Sequence, residues 1–350
     1  MKRTILKDIV IEQIAPEGKA IARVDGKVIF IDKALPGDVV DVRLTKQKKD
    51  FALGEIVALQ QASTDRIDAF CEHFGTCGGC TWQHASYDNQ LKYKTQIVAD
   101  AFKRVGKIDI EMILPIVGAD KTEYYRNKTE YSFSNRAWLT DEQIKSGLEF
   151  NRNALGFHIP KRFEHILHIN KCYLQDDFAN TVRNAIYQFA IDNDMSFYNV
   201  KFHEGNLRNV MIRNTSIGEW MLLLSFGENN DKNFELLDYI KTNFKNITSL
   251  NYAINTKKND AVYDLDIQHY SGNTYIVEQL GNVRYKIGVK SFFQTNTAQA
   301  KKLYDTIIDF GNFSADEIVY DLYTGTGSIA LYIAHLCKQV VGIEQIPGSY

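Results

Sequence analysis

The chain has 350 residues, of which 45% are hydrophobic and 24% charged, a composition typical of a globular protein with about two or three domains. A formal net charge of −2 excludes a globally basic surface, so nucleic acid could bind only through local patches. No apolar run approaches the ~20 residues of a membrane-spanning helix, and the N-terminus leads into an alternating strand instead of a signal-peptide core. We therefore expect a cytoplasmic protein that makes no membrane contact.

Short alternating strands separated by turns fill residues 1–60. Asp25-Gly26 between two such strands is a strong hairpin signal, and Leu35 to Asp38 is typical of a turn. About five strands in a segment of this length predict a small β-barrel of the OB type. A basic run from Arg43 to Lys49 lies between the last two predicted strands and fits either a solvated loop or a contact to nucleic acid.

Cysteines are concentrated in the irregular segment that follows, at residues 61–85. Three of the five cysteines of the chain lie there within ten residues of one another: Cys71, Cys77 and Cys80. Gly78-Gly79 would let the backbone wrap closely around a bound object. Thiolate-rich sites in an intracellular protein select zinc or an iron–sulfur cluster, and either would need a fourth ligand, for which Cys172 is a better candidate than Cys337. The residues alone leave zinc, a [4Fe–4S] cluster and metal-free thiols open.

The middle of the chain is predicted to be an α+β domain that follows a single helix. That helix runs from residue 87 to 106, with Ser86 as its N-cap and Gly106 at its end. Between about 120 and 285 the pattern predicts strands and helices. The strands are 207–213, 220–226 and 275–280, and the helices are 176–192 and 234–244.

The last 65 residues change character and predict the start of a βαβ unit. In chain order its elements are a helix at 297–310, a buried strand at 318–323, a glycine turn, a helix at 328–337 and a strand at 340–344. The turn can cradle a ligand against its backbone, and Glu344 at the end of the second strand can accept hydrogen bonds from ribose hydroxyls. The spacing fits NAD loosely, whereas Asp321 before the glycines and the late position of the unit favour S-adenosylmethionine.

Taken together, these parts resemble the RNA uracil-C5 methyltransferases, specifically the 23S rRNA branch that carries an iron–sulfur cluster. The N-terminal barrel resembles a TRAM domain, and the segment from Ser291 to Asn296 is similar to a family signature. The segment from Asp321 to Gly327 matches the methyltransferase turn. The tRNA branch of the family lacks both the TRAM domain and the cluster cysteines, so the resemblance implies an rRNA substrate.

The resemblance also implies the site residues. The methyl donor, S-adenosylmethionine, is expected at Gln294, Asp321, Tyr323, Gly325, Gly327, Ser328 and Glu344. The RNA is expected at Phe292, near the target base, and at Arg126 and Lys128 of a segment that meets the RNA backbone. The [4Fe–4S] cluster is expected at Cys71, Cys77, Cys80 and Cys172.

The reaction that the resemblance implies is covalent. A cysteine thiolate adds to C6 of uracil, C5 takes the methyl group from the sulfonium, a base removes the C5 proton and the thiolate leaves. The uridine is expected to leave its stack and dock near Phe292. The family's nucleophile and general base belong to the C-terminal part of the fold, and none of the five cysteines carries over. We therefore expect both groups beyond Tyr350 and a chain truncated at its C-terminus.

The predicted organisation combines α/β and α+β parts. A TRAM barrel at 1–60 precedes a central α+β domain with the cluster at 61–285 and an incomplete Rossmann-like methyltransferase domain at 286–350. The helix at 87–106 is expected to pack on the methyltransferase domain. We expect a methyltransferase that is monomeric in its full-length form. The alternatives are a non-catalytic iron–sulfur and TRAM RNA-binding protein, and a NAD-dependent or zinc-containing enzyme.

Overall fold

The computed structural model describes residues 4–345, which divide into two compact units, one ending at Gly118 and the other starting at Ala119. The cysteine segment and the helix after it lie in the same unit as the N-terminal strands. None of the helices described is both long and apolar enough to cross a membrane.

Six strands form the sheet of the first unit: β1 (Ile5–Val10), β2 (Gln13–Ile14), β3 (Ala20–Val24), β4 (Lys27–Asp32), β5 (Val39–Gln47) and β6 (Phe51–Gln61). Their order is β1-β5-β6-β4-β3-β2, with β4 and β6 parallel. The predicted hairpin is confirmed, because Asp25 and Gly26 have φ angles of 49° and 75° between β3 and β4, as a two-residue turn of this kind requires. The sequence prediction missed β2, which has only two residues.

The basic run lies differently from the prediction. Its first residues, Arg43 to Gln47, continue β5 and pair with β6, so only Lys48 and Lys49 belong to the connecting turn. The β5–β6 ladder therefore extends into the basic run as far as Gln47, which pairs with Ala52.

A buried carboxylate, Asp38, holds the start of the cysteine segment on the six-stranded sheet of the first unit. Arg66 donates from Nε and Nη2 to its two oxygens, each at 2.7 Å, and the N–H groups of Leu35 and Ser63 donate at 2.6 and 2.9 Å. Burial by itself would raise the pKa of Asp38, but these hydrogen bonds and the Arg66 charge lower it. The hydrogen bonds of Asp38 to Ser63 and Arg66 therefore fix the position of the start of the cysteine segment.

The predicted helix after the cysteines is present as α1 (Tyr87–Asp100). The Ser86 hydroxyl accepts from the Asn89 N–H at 3.4 Å, which confirms the N-cap. The helix continues as a short π-helix over Ala101–Gly106 and ends at Lys107. Tyr93 of α1 packs into the hydrophobic core of the first unit. The packing of this helix on the methyltransferase domain stays a prediction.

Seven strands form the main sheet of the second unit. They are β7 (Lys128–Ser134), β8 (Ala154–Ile159), β9 (Arg162–His168), β10 (Leu207–Asn214), β11 (Trp220–Phe226), β12 (Ile247–Ile254) and β13 (Ile267–Gly272). Their order is β13-β12-β11-β10-β7-β8-β9, with β11 and β12 parallel. The accompanying helices are α2 (Asp141–Ser146), α3 (Asp177–Asp192) and α4 (Asp231–Asn243).

The remaining elements form a second layer that carries the candidate site. They are β14 (Tyr275–Leu280), β15 (Val283–Gly288), α5 (Thr297–Gly311), β16 (Ile318–Leu322), α6 (Ser328–Ile333) and β17 (Gln339–Ile343). The strands β14 and β15 form an antiparallel hairpin, and β16 and β17 are parallel, as the βαβ prediction requires. The helix α6 is shorter than predicted and continues as a 3-10 turn at Ala334–Leu336.

Both faces of strand β11 are buried, so the sheet is covered on each side. Leu222 and Leu224 pack into a core shared with α3 and α4. Met221 and Leu223 pack on the other face into a core shared with β14, β15, α5 and α6. A continuous apolar run is what such a two-sided strand needs, and the prediction of a strand at 220–226 is confirmed.

The prediction that the strand at 318–323 is buried is wrong. In β16, Ile318, Tyr320 and Leu322 are 49%, 62% and 60% exposed. Alternate residues of a strand share one face, and no element among residues 4–345 covers this one.

The stability of the first unit should depend on pH through His84. Its ring lies 5.1 Å from that of Phe74, and burial, followed by the nearby charge of Arg66, lowers the pKa of His84 to about 4. Between about pH 6.5 and 4 the unfolded state then binds more protons than the native state. We expect the free energy of unfolding to fall as the pH is lowered through this window, by up to about 3 kcal/mol from this group.

Urea unfolding at neutral pH and at the acid end of that window measures this effect. His84→Phe keeps an aromatic ring against Phe74 and should remove this part of the pH dependence. An unchanged pH dependence in the variant would contradict the assignment.

Candidate functional site

The first half of the loop between β15 and α5, residues 288–297, is fixed through its backbone. Arg213 of β10 donates from Nη1 to the Gly288 carbonyl at 3.2 Å and from Nη2 to the Ser291 carbonyl at 3.0 Å. Burial lowers the pKa of Arg213 to about 10, so its guanidinium remains charged at neutral pH. Hydrogen bonds from a charged, buried donor are strong, and this part of the loop has a defined position.

The two aromatic side chains of this loop face opposite ways. Phe293 is 4% exposed and packs with Tyr285, at 5.6 Å between ring centroids. Phe292 is 66% exposed. The buried ring anchors the loop, and its neighbour is presented on the surface.

Asn127 fixes the second half of the loop. Its Nδ2 donates to the Gln294 carbonyl at 2.8 Å and to the Thr297 hydroxyl at 2.9 Å, and its backbone N–H donates to the Thr295 carbonyl at 2.8 Å. The Thr297 hydroxyl in turn donates to the buried Glu278 carboxylate at 2.7 Å. In these hydrogen bonds Gln294 and Thr295 accept only through their backbone carbonyls. The Gln294 side chain can therefore bind other partners.

The turn between β16 and α6 is open. Tyr323, Gly325 and Gly327 have φ angles of 68°, 56° and 70°, and Tyr323 is 89% exposed. A Cβ atom built on Gly325 would meet nothing within 4 Å. Left-handed backbone is unusual for tyrosine, and the open space at Gly325 leaves room for another group against the backbone of the turn.

Two carboxylates hold the shape of this turn. Asp321 accepts from the Thr324 hydroxyl at 2.9 Å and from the Ala330 N–H at 3.2 Å, so it fastens the turn to α6. Glu344, which follows β17, accepts from the Gly325 N–H at 2.8 Å. The Glu344 carboxylate therefore lies beside the glycine turn, and its contact with ribose hydroxyls stays a prediction.

The 288–297 loop and the glycine turn are neighbours. The Thr326 hydroxyl donates to the Phe292 carbonyl at 3.4 Å. The hydroxyls of Tyr304 and Tyr285 donate to the hydroxyl and the carbonyl of Ser328, each at 2.9 Å. Of the residues predicted to bind the donor, Gln294 lies on the loop and Tyr323, Gly325 and Gly327 lie on the turn. Asp321 and Ser328 flank the turn, and Glu344 lies beside it.

The segment at residues 124–128, which includes the predicted RNA contacts Arg126 and Lys128, lies beside the residues that follow Cys172. The N–H groups of Tyr124 and Arg126 donate to the carbonyls of Tyr173 and Leu174, both at 2.7 Å. With Asn127 bound to the 288–297 loop, this segment connects the surroundings of Cys172 to the site.

The two predicted RNA contacts have local partners. Arg126 donates from Nε to the Lys128 carbonyl at 2.8 Å, and the Lys128 ammonium lies 2.6 Å from the Glu130 carboxylate. Both side chains are only partly buried, so their remaining donors can reach an external group.

The predicted cluster ligands lie on separate parts of the chain. Three are on one loop of the first unit, and Cys172 is buried in the second. On the loop, the Gly79 N–H donates to the Cys77 sulfur at 3.3 Å and Gln83 Nε2 donates to the Cys80 sulfur at 3.2 Å. Residues 4–345 contain no set of three or more His, Cys, Asp or Glu side chains that could hold a metal ion.

Sequence reasoning missed the residues that position the loop. They are Arg213, Glu278, Thr297, Tyr285 and Tyr304. The available signal was a charged residue at the end of an apolar strand, since Arg213 closes the predicted strand 207–213. Asn127 lies between the predicted RNA contacts Arg126 and Lys128, and the sequence indicated no role for it.

Comparisons with known proteins identify a domain and relatives of this chain. The TRAM domain family matches residues 7–57. An uncharacterized RNA methyltransferase of Bacteroides thetaiotaomicron is 44% identical over 96% of this chain and 75% of its own length. One of Porphyromonas gingivalis is 42% identical over 97% of this chain and 74% of its own.

A solved structure matches nearly the whole chain. It is the Pyrococcus abyssi tRNA (uracil-54, C5)-methyltransferase in complex with S-adenosyl-L-homocysteine. The TM-score is 0.72 at 25% identity, and the match covers 97% of this chain and 74% of that chain.

The two neighbouring phenylalanines should respond differently to truncation. Phe293→Ala removes a buried ring and should lower the free energy of unfolding by about 3–5 kcal/mol. Phe292→Ala removes an exposed ring and should change it by no more than about 0.5 kcal/mol. Urea unfolding of both variants measures the difference, and equal losses would contradict the assigned orientations.

Proposed function

Because the chain belongs to the RNA methyltransferase family, we propose that it transfers a methyl group from S-adenosylmethionine to C5 of a uridine in RNA. The observation that carries this proposal is the contact between the 288–297 loop and the glycine turn. These are the segments that the resemblance assigns to the target base and to the methyl donor. Relatives that are RNA methyltransferases argue against a NAD-dependent or zinc-containing enzyme.

The chemistry of the turn fits the donor. The open space at Gly325 lets a ligand lie against the backbone, and Glu344, oriented by the Gly325 N–H, can accept hydrogen bonds from ribose hydroxyls. When bound, S-adenosylmethionine supplies an electrophilic methyl group. The residues proposed to hold it are Gln294, Asp321, Tyr323, Gly325, Gly327, Ser328 and Glu344, with Asp321 acting through the shape of the turn.

The exposed side chains around the loop fit RNA. Phe292 offers an aromatic face on which an extruded base can stack. Arg126 and Lys128 would meet phosphates of the RNA backbone. The protein would then act in the cytoplasm on folded RNA.

The proposed chemistry is the covalent route implied by the resemblance. A thiolate forms a bond to C6, C5 bonds to the methyl carbon as the carbon–sulfur bond breaks, and a base takes the C5 proton while the thiolate leaves. We propose that the nucleophile and the base lie beyond Tyr350. Residues 346–350 lie outside the described residues, and the expected C-terminal truncation stays a prediction.

The class of RNA is proposed as 23S rRNA, with tRNA as the competing outcome. The sequence argument for rRNA was that the tRNA branch of the family lacks both the TRAM domain and the cluster cysteines. However, the match to the Pyrococcus abyssi tRNA enzyme covers 97% of this chain. The barrel therefore does not by itself separate the two substrates, and the experiment below tests both.

The test is deletion of the gene followed by mass spectrometry of nucleosides from purified 23S rRNA and tRNA. We expect 5-methyluridine to disappear from one position in one of the two. A complete gene carrying Phe292→Ala should restore little of it. The same gene with Phe163→Ala, which removes an equally exposed ring elsewhere in the unit, should restore it fully. Unchanged 5-methyluridine in both RNA classes would refute the function.

We also propose a [4Fe–4S] cluster held by Cys71, Cys77, Cys80 and Cys172, with no part in the methyl transfer. Four thiolates suit such a cluster, and N–H donors to two of the sulfurs are typical of its ligands. Because Tyr173 and Leu174 bind the segment at 124–126, fixing Cys172 would also fix that segment. The cluster would then shape the surface that holds RNA.

Cys77→Ser should lose the visible absorbance of the cluster and RNA affinity together. Anaerobic spectra with iron and sulfide analysis should show about four irons per wild-type chain. Cys337→Ser is the matched control and should keep both properties. A colourless protein with about one zinc would indicate a zinc site. RNA affinity that survives complete cluster loss would refute the shaping role.

A further inference from the structure

We propose that Asn127 is a positioning residue that couples RNA binding to methyl-donor binding, an inference that rests on the proposed function. Asn127 stands between the two proposed phosphate contacts, Arg126 and Lys128. Unlike them, it is only 7% exposed, so its side chain is turned into the protein. It reaches the loop that carries Gln294, a proposed contact of the donor.

The donor and acceptor of each hydrogen bond of the Asn127 side chain can be assigned from the neighbouring groups. The Glu278 carboxylate accepts from the N–H groups of Ser216 and Gln279 at 3.0 and 2.9 Å, and it also accepts from the Thr297 hydroxyl. Since Thr297 donates to Glu278, its oxygen is left to accept from Asn127. Both hydrogens of the Asn127 amide are then used, one on Thr297 and one on the Gln294 carbonyl.

This arrangement sets the backbone of Gln294 relative to the segment at 124–128. The backbone N–H of Asn127 adds a third bond, to the Thr295 carbonyl, and its own carbonyl accepts from the Asn214 N–H at 2.9 Å. A shift of the segment would therefore move or break the bonds to the loop. Hydrogen-bond networks of this kind can carry coupling between sites.

The functional consequence is reciprocal coupling. Phosphates bound at Arg126 and Lys128 would hold the segment in the position that places Gln294 for the donor. A donor bound at Gln294 would by the same network favour the segment geometry that binds RNA. Thermodynamic linkage requires both effects to have the same size.

The test measures the affinity of the full-length protein, expressed from the complete gene, for S-adenosylhomocysteine by equilibrium dialysis, with and without saturating RNA. The RNA probes are unmodified transcripts of 23S rRNA and of tRNA. In the wild type, at least one transcript should raise the affinity by about five-fold or more. In Asn127→Ala the ratio should fall below about two-fold, because the bonds from the side chain to the loop are gone.

Two further variants keep the test sharp. Thr297→Val removes the acceptor on the other side of the bond and should reduce the ratio in the same way, which also covers a failure of Asn127→Ala to fold. Asn233→Ala is the control, because Asn233 is another buried asparagine whose Nδ2 donates to a carbonyl, that of Glu228, at 2.7 Å. A purely structural effect would lower the ratio in this variant too, whereas we expect it to stay at the wild-type value.

The possible failures are distinguishable. A wild-type chain that binds both partners without any change in affinity would overturn the coupling and leave the function intact. Full coupling in a folded Asn127→Ala or Thr297→Val variant would likewise overturn the role of Asn127. A full-length wild-type protein that binds neither partner would overturn the proposed function and this inference with it.

Discussion

The burial of both faces of β10 and β11 is the constraint on which the second unit depends. Strand β11 has apolar side chains on each face, and water cannot be left on either without losing the hydrophobic stabilisation of the whole run. The helices α3 and α4 cover one face of the sheet. The second layer, which also carries the candidate site, covers the other face.

Polar groups then define the site within that apolar layer. Arg213 and Asn127 both hold carbonyl groups of one loop, while the side chain of Phe293 provides the apolar anchor. Burying a guanidinium without hydrogen-bond acceptors would lower the stability of the fold, and the carbonyls of Gly288 and Ser291 act as its acceptors. Stability and site geometry thus rest on the same few contacts.

The elements predicted correctly from the sequence are those that depend on residues close together in the chain. The strands at 220–226 and 275–280, the N-cap Ser86 and the hairpin at Asp25-Gly26 all follow from short-range periodicity or turn chemistry. Strands β7, β8, β9, β12, β13 and β15 were missed because each is a run of only six to eight residues that mixes apolar with polar side chains. Exposure of β16 was missed because it depends on what covers the strand, which periodicity does not report.

In the candidate site, too, residues within local motifs could be predicted, and contacts between distant segments could not. Phe292, Gly325 and Glu344 stand in recognisable motifs, and the structure places them on adjoining segments or beside them. The contact between Asn127 and Gln294 joins residues 167 positions apart, and no local pattern encodes a hydrogen bond over that separation. The same limit applies to the cysteines, where the spacing within one loop indicated metal but carried no information on how Cys172 is placed.

Fastening the 288–297 loop at both ends has an entropic consequence. A mobile loop would have to be ordered when a ligand arrives, and the conformational entropy lost at that moment would weaken binding. Here the bonds from Arg213 and Asn127 order the backbone during folding instead. A ligand at Phe292 or Gln294 would meet a preorganised surface, and its contacts would contribute to affinity with little subtracted for ordering the chain.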